Sequence, residues 1–386
     1  MIRSFEFATA GRITFGSGSR RGLGEVVAAA GHRVLVVASG TERHADWLPA
    51  ALEEAGLVPT AWPVTGEPTI DLVTRGAAHA RDAGCDVVLG IGGGSCLDAA
   101  KAIAALAVQP HGPLDYLEVI GAGRSLDEQP LPCIAVPTTA GTGAEVTKNA
   151  VLGSPAHRVK VSLRHPAMLP RTAIVDPELT LSLPRAITAA TGLDALTQLI
   201  EPFVSPRANP LTDGFCREGL TRIRSALPTV LQSPYDLAAR TDMSLASLLG
   251  GLALANAGLG AVHGLAGPLG GMLPAPHGSL CGILLPGVME ANIAALKRAG
   301  SPTAALDRYR DVARLLTGRP DAEPADGTAW VRGVVAGSDL PGLAAFGLTE
   351  EDIPEAVAKS QRSSSMKANP VLLTDEALGT LLQDAC

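Results

Sequence analysis

Two histidines stand in a stretch of the chain that carries no charge. Between Met243 and Met289 there is no Asp, Glu, Lys or Arg, yet this run holds His263 and His277, two of the eight histidines. An imidazole in so apolar a setting is costly unless it is hydrogen-bonded or coordinated. Two of them in one run suggest convergence on a shared partner. Length alone would permit a membrane span, but the dense glycines, Pro268, Pro274, Pro276 and both histidines argue against one. A structural core with satisfied histidines is the plain alternative. A metal or substrate site within a buried helical layer is the favoured reading, and it needs further ligands from elsewhere. Upstream, Asp194 and Gln198 are four apart in a helical pattern around Thr191–Glu201, hence on one face. They are ligand-capable, although such a pair can also be a simple helix hydrogen bond.

A different chemistry is written nearer the N-terminus. Gly92-Gly93-Gly94-Ser95 follows the apolar run Asp86–Ile91 and leads into a helical stretch from Cys96 through Asp98 and Lys101. A strand, a glycine turn and a helix N-terminus make an anion site, because backbone N–H groups and the helix dipole face the ligand. The pattern is not the GxGxxG fingerprint, since Leu97 occupies the third glycine position. A tight turn with no ligand is the bland alternative. A second small-residue loop, Pro137–Thr147, follows the next strand and includes Thr138, Thr139, Thr142 and Glu145. Two such loops at the ends of adjacent strands would flank one crevice, where open α/β sheets bind ligands.

The elements that position these residues change character along the chain. Short apolar runs at Val34–Ala38, Asp86–Ile91, Cys133–Val136 and Ala173–Asp176 read as buried parallel strands, with helices near Trp47–Ala55 and Ile70–Ala83 between them. This alternation implies βαβ units. From Leu183 onward only helical periodicity is visible, which puts a boundary near residue 182 and gives domains 1–182 and 183–386. Thr317–Gly327 reads as a polar surface loop, Thr349–Asp352 as a helix start resembling a capping box, and Ser363–Pro370 as a turn-rich segment without a derivable role.

Composition narrows the function. A chain of 386 residues is long enough for two cores. A net charge of −7 without any basic run argues against nucleic acid. Six scattered cysteines and no CxxC pair look like reduced core residues. With no apolar leader at the N-terminus, the expectation is a cytoplasmic protein bound to neither membrane nor nucleic acid.

Taken together the motifs resemble the iron-containing (group III) alcohol dehydrogenases. The resemblance rests on Gly92–Asp98, Pro137–Thr147, Thr191-Gly-Leu-Asp194-Ala-Leu-Thr, and His263 with the Pro276-His277-Gly278 turn. It implies an α/β N-terminal nucleotide-binding domain plus an all-α C-terminal domain, the dehydroquinate synthase-like fold, with a cleft between them. It implies a divalent metal, Fe²⁺ or Zn²⁺, that polarises an alcohol or carbonyl oxygen while hydride passes to or from NAD or NADP. By the resemblance, Gly92, Gly93, Gly94, Ser95 and Asp98 belong to the pyrophosphate loop. Thr138, Thr139, Thr142 and Lys160 line the rest of the nicotinamide site, and Asn149 faces the reaction. Asp194, His263 and His277 match three of the usual four metal ligands and would be the catalytic set. Gln198 stands where the family has a fourth, histidine ligand, and Gly267 where it often has a relay histidine. Ser39, with Gly40 and Arg43 following, replaces the Asp of many NAD-specific members, so NADP is expected to be accepted. The expected substrate is a small alcohol–carbonyl pair or a keto acid, in a homodimer or larger homo-oligomer. The departures leave open a metal-independent reductase of the maleylacetate reductase kind. A dehydroquinate synthase-like lyase and a homologue that only binds nucleotide are further alternatives.

Overall fold

The computed structural model describes residues 4–39, 44, 46–299 and 304–386. Gly40 and Arg43, named above for cofactor choice, lie outside the described residues. Two compact units result: Ala8–Thr139 with Gly143–Thr180, and Leu181–Cys386 with the N-terminal residues to Phe7 and Ala140–Thr142.

The first unit is built on six strands, β1 (Arg12–Phe15), β2 (Arg33–Ala38), β3 (Val58–Pro63), β4 (Val87–Gly92), β5 (Cys133–Pro137) and β8 (Thr172–Val175). They pair in the order β1-β8-β5-β4-β2-β3, every neighbour parallel. β4 and β5 are buried at every residue, the signature of a sheet covered on both faces. Alternate residues divide between the faces. Val34, Val36, Leu89 and Ile91 pack on Leu23 and Leu52 from α1 (Leu23–Ala28) and α2 (Leu48–Glu54). Leu35, Val37 and Val88 pack on Val73 and Ile103 from α3 (Ile70–Asp82) and α4 (Gly94–Leu106). A short helix, α5 (Pro113–Tyr116), and an antiparallel hairpin of β6 (Asn149–Ser154) and β7 (Val159–Arg164) complete the unit.

The four anticipated strands form with ends shifted by a residue at most, and four others were not anticipated. β3 reads Val-Pro-Thr-Ala-Trp-Pro, and its two prolines are tolerated because it is an edge strand. β1 is the opposite edge and only four residues long. From β2 the chain goes to β3 at the other edge and returns to β4 on the far side of β2, so strand order reverses between β2 and β4. Ligands of open α/β sheets bind at this reversal, beyond the carboxyl ends of the strands.

The second unit is helical: α6 (Arg185–Val204), α7 (Pro210–Gln232), α8 (Leu237–Ala257), α9 (Ala261–Met272), α10 (His277–Arg298), α11 (Ala304–Thr317), α12 (Pro324–Ala336), α13 (Ile353–Gln361) and α14 (Asp375–Asp384). α12 begins at Pro324, inside the segment read as a loop to Gly327, with Glu323 and Asp326 closing a capping box. α10 is long and apolar enough to cross a membrane, but 67% of its apolar window is buried within the fold. It is a core helix.

Within the second loop, Glu145 is buried, and burial pushes its carboxyl up from 4.5 to about 7 despite the charge of Lys101. A carboxyl with a raised folded-state pKa contributes its full stability below the unfolded value and loses it as pH rises through the folded one. Glu145→Gln should therefore be near-neutral at acid pH and stabilise by about 3 kcal/mol above pH 7. Urea unfolding of both proteins at the two pH values checks this.

Candidate nucleotide loop and metal centre

The glycine loop occupies the reversal point. Ser39 directly follows β2, and its N–H donates to Ile91 O at 3.3 Å. A Cβ at position 92 would lie 2.3 Å from Ser39 Oγ and 2.6 Å from Cys96 Cβ, so only glycine fits there. Gly93 is the N-cap of α4, no side chain caps the helix, and Gly93, Gly94 and Ser95 are half-exposed. The positive end of a 13-residue helix is thus presented to an anion. The two loops are neighbours: Thr138 N–H donates to Gly92 O at 2.9 Å, and Thr139 Cγ2 lies 3.2 Å from where a Cβ on Gly93 would be.

Other residues of the expected nucleotide set are held differently. The Asp98 carboxylate is committed to protein partners: Oδ2 accepts from Val151 N at 2.9 Å and Oδ1 pairs with Lys101 Nζ at 2.9 Å. Lys101, buried and unremarked in the sequence, also donates to Thr147 Oγ1 at 2.9 Å and so ties α4 to the segment entering β6. Asp98 therefore braces the loop from behind. Lys160, on β7, is ion-paired with Glu67, and Asn149 is half-buried at the start of β6. Thr142 clusters with the helical unit, where a Cβ on neighbouring Gly141 would lie 2.7 Å from Thr191 Cβ.

The helical unit gathers the metal-ligating residue types. Asp194, His263, His277 and Cys281 each offer a ligand atom, and these atoms all lie within 4.8 Å of one another. α6 carries Asp194 and Gln198, α9 carries His263, and α10 begins at His277 with Cys281 one turn on. Gly278 makes the meeting of α6 and α10 possible. A Cβ there would lie 2.4 Å from Ala190 O, so any larger residue would force the first turn of α10 away from α6.

The surroundings of His263 are polar, contrary to the apolar setting that the sequence suggested. Its Nδ1 lies 2.7 Å from Glu201 Oε2, and Glu201 Oε1 accepts from Val262 N at 2.7 Å. Glu201 is buried on the α6 face of Asp194 and Gln198, seven residues after Asp194. It went unnoticed because one carboxylate in a helical pattern looks like a surface residue. When the neutral ring donates its Nδ1–H to Glu201, Nε2 carries the lone pair, the arrangement found behind metal-bound histidines. That Nε2 faces Asp194 Oδ1 at 3.3 Å. Oδ1 is misaligned for a hydrogen bond, and both it and Gln198 Oε1 are buried acceptors without a donor.

Burial opposes charge on each of these groups, and the opposition is overcome. The Asp194 carboxyl is held below its usual range by the adjacent imidazoles. His263 and His277 are pushed up, against their burial, by the sulfur of Cys281 and the carboxylates. The buried acceptors Asp194 Oδ1 and Gln198 Oε1 lack donors, and together with the clustered imidazole nitrogens they fit a divalent cation on Asp194, His263 and His277. His277 is half-buried while the other three are buried, so the cluster is accessible from its side. One turn after His263 on α9, no atom of the described residues lies within 4 Å of where a Cβ on Gly267 would be.

Residues 10–177 match the iron-containing alcohol dehydrogenase family model, and residues 188–386 match the C-terminal model of the Fe-containing alcohol dehydrogenase family. Long-chain-alcohol dehydrogenase 1 of Geobacillus thermodenitrificans is 44% identical over 226 residues, 58% of this chain; the match spans 56% of that protein's length. The 4-hydroxybutyrate dehydrogenase of Cupriavidus necator is 37% identical over 310 residues, covering 78% of each chain. Among solved structures, sulfoacetaldehyde reductase from Bifidobacterium kashiwanohense in complex with NAD⁺ superposes with a TM-score of 0.86, at 28% identity over 99% of both chains. The chain belongs to the iron-containing alcohol dehydrogenase family.

Glu201→Gln should loosen the site without emptying the core, since the amide keeps the volume but not the charge that fixes His263. Partners behind metal-bound histidines typically contribute about 10- to 100-fold in metal affinity. Chelator-competition titration of the variant against the parent should show a loss in that range.

Proposed function

We propose that the protein is an NAD(P)-dependent alcohol dehydrogenase or aldehyde reductase that interconverts a small alcohol and its carbonyl compound. The observation that carries this reading is the Asp194, His263 and His277 cluster, whose buried acceptors call for a cation. A divalent metal bound there, Fe²⁺ or Zn²⁺, would supply Lewis-acid polarisation of the substrate oxygen, and the nicotinamide would supply or accept the hydride.

The chain's own residues do the rest. The N–H groups at the start of α4 hold the pyrophosphate, with Thr138 and Thr139 beside them and the Asp98–Lys101 pair keeping the loop in shape. Glu201 fixes the ring of His263. Gly267 lies one turn after His263 on α9, and the open space where its Cβ would be leaves room for a small substrate. Gly267 offers no imidazole for proton transfer, so the proton of the alcohol passes through water or a ribose hydroxyl. Small alcohols, aldehydes or keto acids are the substrate class. The enzyme works in the cytoplasm, a reading its six free cysteines support, and assembles as a homodimer or larger homo-oligomer.

Gln198, a weaker ligand than imidazole, favours one second reading: a reductase of the maleylacetate reductase kind that turns over without metal. Metal content of the purified protein, with NAD(P)H oxidation over a panel of small aldehydes and keto acids, separates the two. About one Fe or Zn per chain and turnover abolished by chelator are expected. Metal-free protein with full turnover would establish the alternative. His277→Ala should lower kcat by at least about a hundredfold with the fold intact by circular dichroism. Unchanged turnover would remove His277 from the chemistry.

Cofactor choice is testable at Ser39, which does not repel a 2′-phosphate. Comparable kcat/KM with NADPH and NADH is expected. Ser39→Asp should lower kcat/KM for NADPH about tenfold or more while sparing NADH.

A further inference from the structure

Cys281 has no part in the reading above, yet its sulfur stands between the two imidazoles. Sγ is 3.6 Å from His277 Nε2 and 3.8 Å from His263 Nε2. A thiol has one hydrogen and can satisfy only one of them. His263 Nδ1 is engaged by Glu201, so in the neutral ring that donates to Glu201 the Nε2 facing the sulfur carries the lone pair. Asp194 Oδ1 adds a further electron-rich atom 3.3 Å from the same Nε2. Four donor atoms of different chemistry are aimed at one small volume.

The spacing is that of ligands around one ion. Bonds of about 2.05 Å to nitrogen or oxygen and about 2.3 Å to sulfur, opened to a tetrahedral angle, hold an N,S pair about 3.6 Å apart and an N,O pair about 3.4 Å apart. Three separations, 3.6, 3.8 and 3.3 Å, lie close to these values, and all four ligand atoms lie within 4.8 Å of one another. We propose that Cys281 Sγ is the fourth protein ligand of the cation site, in place of Gln198, and that the site therefore takes a thiophilic divalent ion of the zinc type. The proposal rests on the reading that Asp194, His263 and His277 hold a cation.

Ligand chemistry decides between the two candidates. A thiolate binds zinc strongly, whereas a carboxamide oxygen is a poor ligand for transition ions. The thiol proton leaves to solvent as the sulfur–metal bond forms, and the charge of the set becomes −2, from Asp194 and the thiolate, matching a divalent ion. Gln198 remains an amide beside Asp194. Placing the sulfur four residues after His277 puts two ligands on one face of α10. A serine or alanine at 281 would leave the imidazoles and Asp194 to hold the ion alone.

The decisive measurement is X-ray absorption at the zinc edge of the zinc-loaded full-length protein. One sulfur scatterer at about 2.3 Å is expected; a shell of nitrogen and oxygen only overturns the proposal and leaves the cation site standing. Cobalt substitution gives an independent readout. The parent should show a thiolate-to-cobalt charge-transfer band in the near ultraviolet, and Cys281→Ser, folded by circular dichroism, should bind cobalt without it. A band that persists in Cys281→Ser overturns the assignment. In zinc competition titrations Cys281→Ser should lose about a hundredfold or more in affinity and Gln198→Ala only a few-fold; the reverse order assigns the fourth position to Gln198. A parent protein that takes up neither zinc nor cobalt overturns the proposal together with the reading beneath it.

Discussion

Lone pairs crowded into a buried space must be met by positive charge. The helical unit concentrates the Asp194 carboxylate, two imidazoles and a sulfur within 4.8 Å of one another, and sets the charge of Glu201 behind them. Left to themselves these groups would repel and draw water inward. Much else in the unit follows from that constraint. α6 brings its acidic face inward, α9 points its N-terminus at Glu201, and α10 starts where a histidine can meet Asp194. Close approach of the three helices depends on missing side chains. A Cβ on Gly260 would lie 2.8 Å from Glu201 Oε1, and one on Gly278 would lie 2.4 Å from Ala190 O. Glycine in a helix costs stability relative to alanine, and here it gives the distance at which ligands can converge.

The α/β unit meets a milder constraint of the same kind. An anion has to be held by backbone, so the backbone has to be approachable and stiff. Gly92 and Gly93 make it approachable. Stiffness comes from the buried Lys101, which holds Asp98 on one side and the Thr147 segment on the other. A polar network of this sort specifies one arrangement when all its members are satisfied.

The sequence was most readable where a single local rule governed each residue. The continuous apolar runs of β2, β4 and β5 are what a doubly covered sheet requires, and the glycine run after β4 is what a strand-to-helix turn requires. Asp194, His263 and His277 were legible as polar residues in apolar company. The edge strands were not, because prolines and short length hide an element whose pairing is supplied by its neighbour. Glu201 and Cys281 were hidden for a related reason. A glutamate on a helix and a cysteine in a core each have an ordinary explanation, and only the crossing of α6, α9 and α10 removes it. The role of Ser363–Pro370 was likewise invisible, since it consists in reaching a helix far away in the chain.

That reach has a temporal side. Asn369 Oδ1 accepts from Ala261 N at 3.1 Å, across 108 residues, and also from Asn292 Nδ2 at 3.0 Å. The helix that carries His263 is therefore finished at its first turn by a residue that leaves the ribosome long after it. At a synthesis rate of about 5–20 residues per second, the nascent chain waits for several seconds or more with α9 unfastened. The first turn of the helix that carries His263 is thus completed only once translation has passed Asn369.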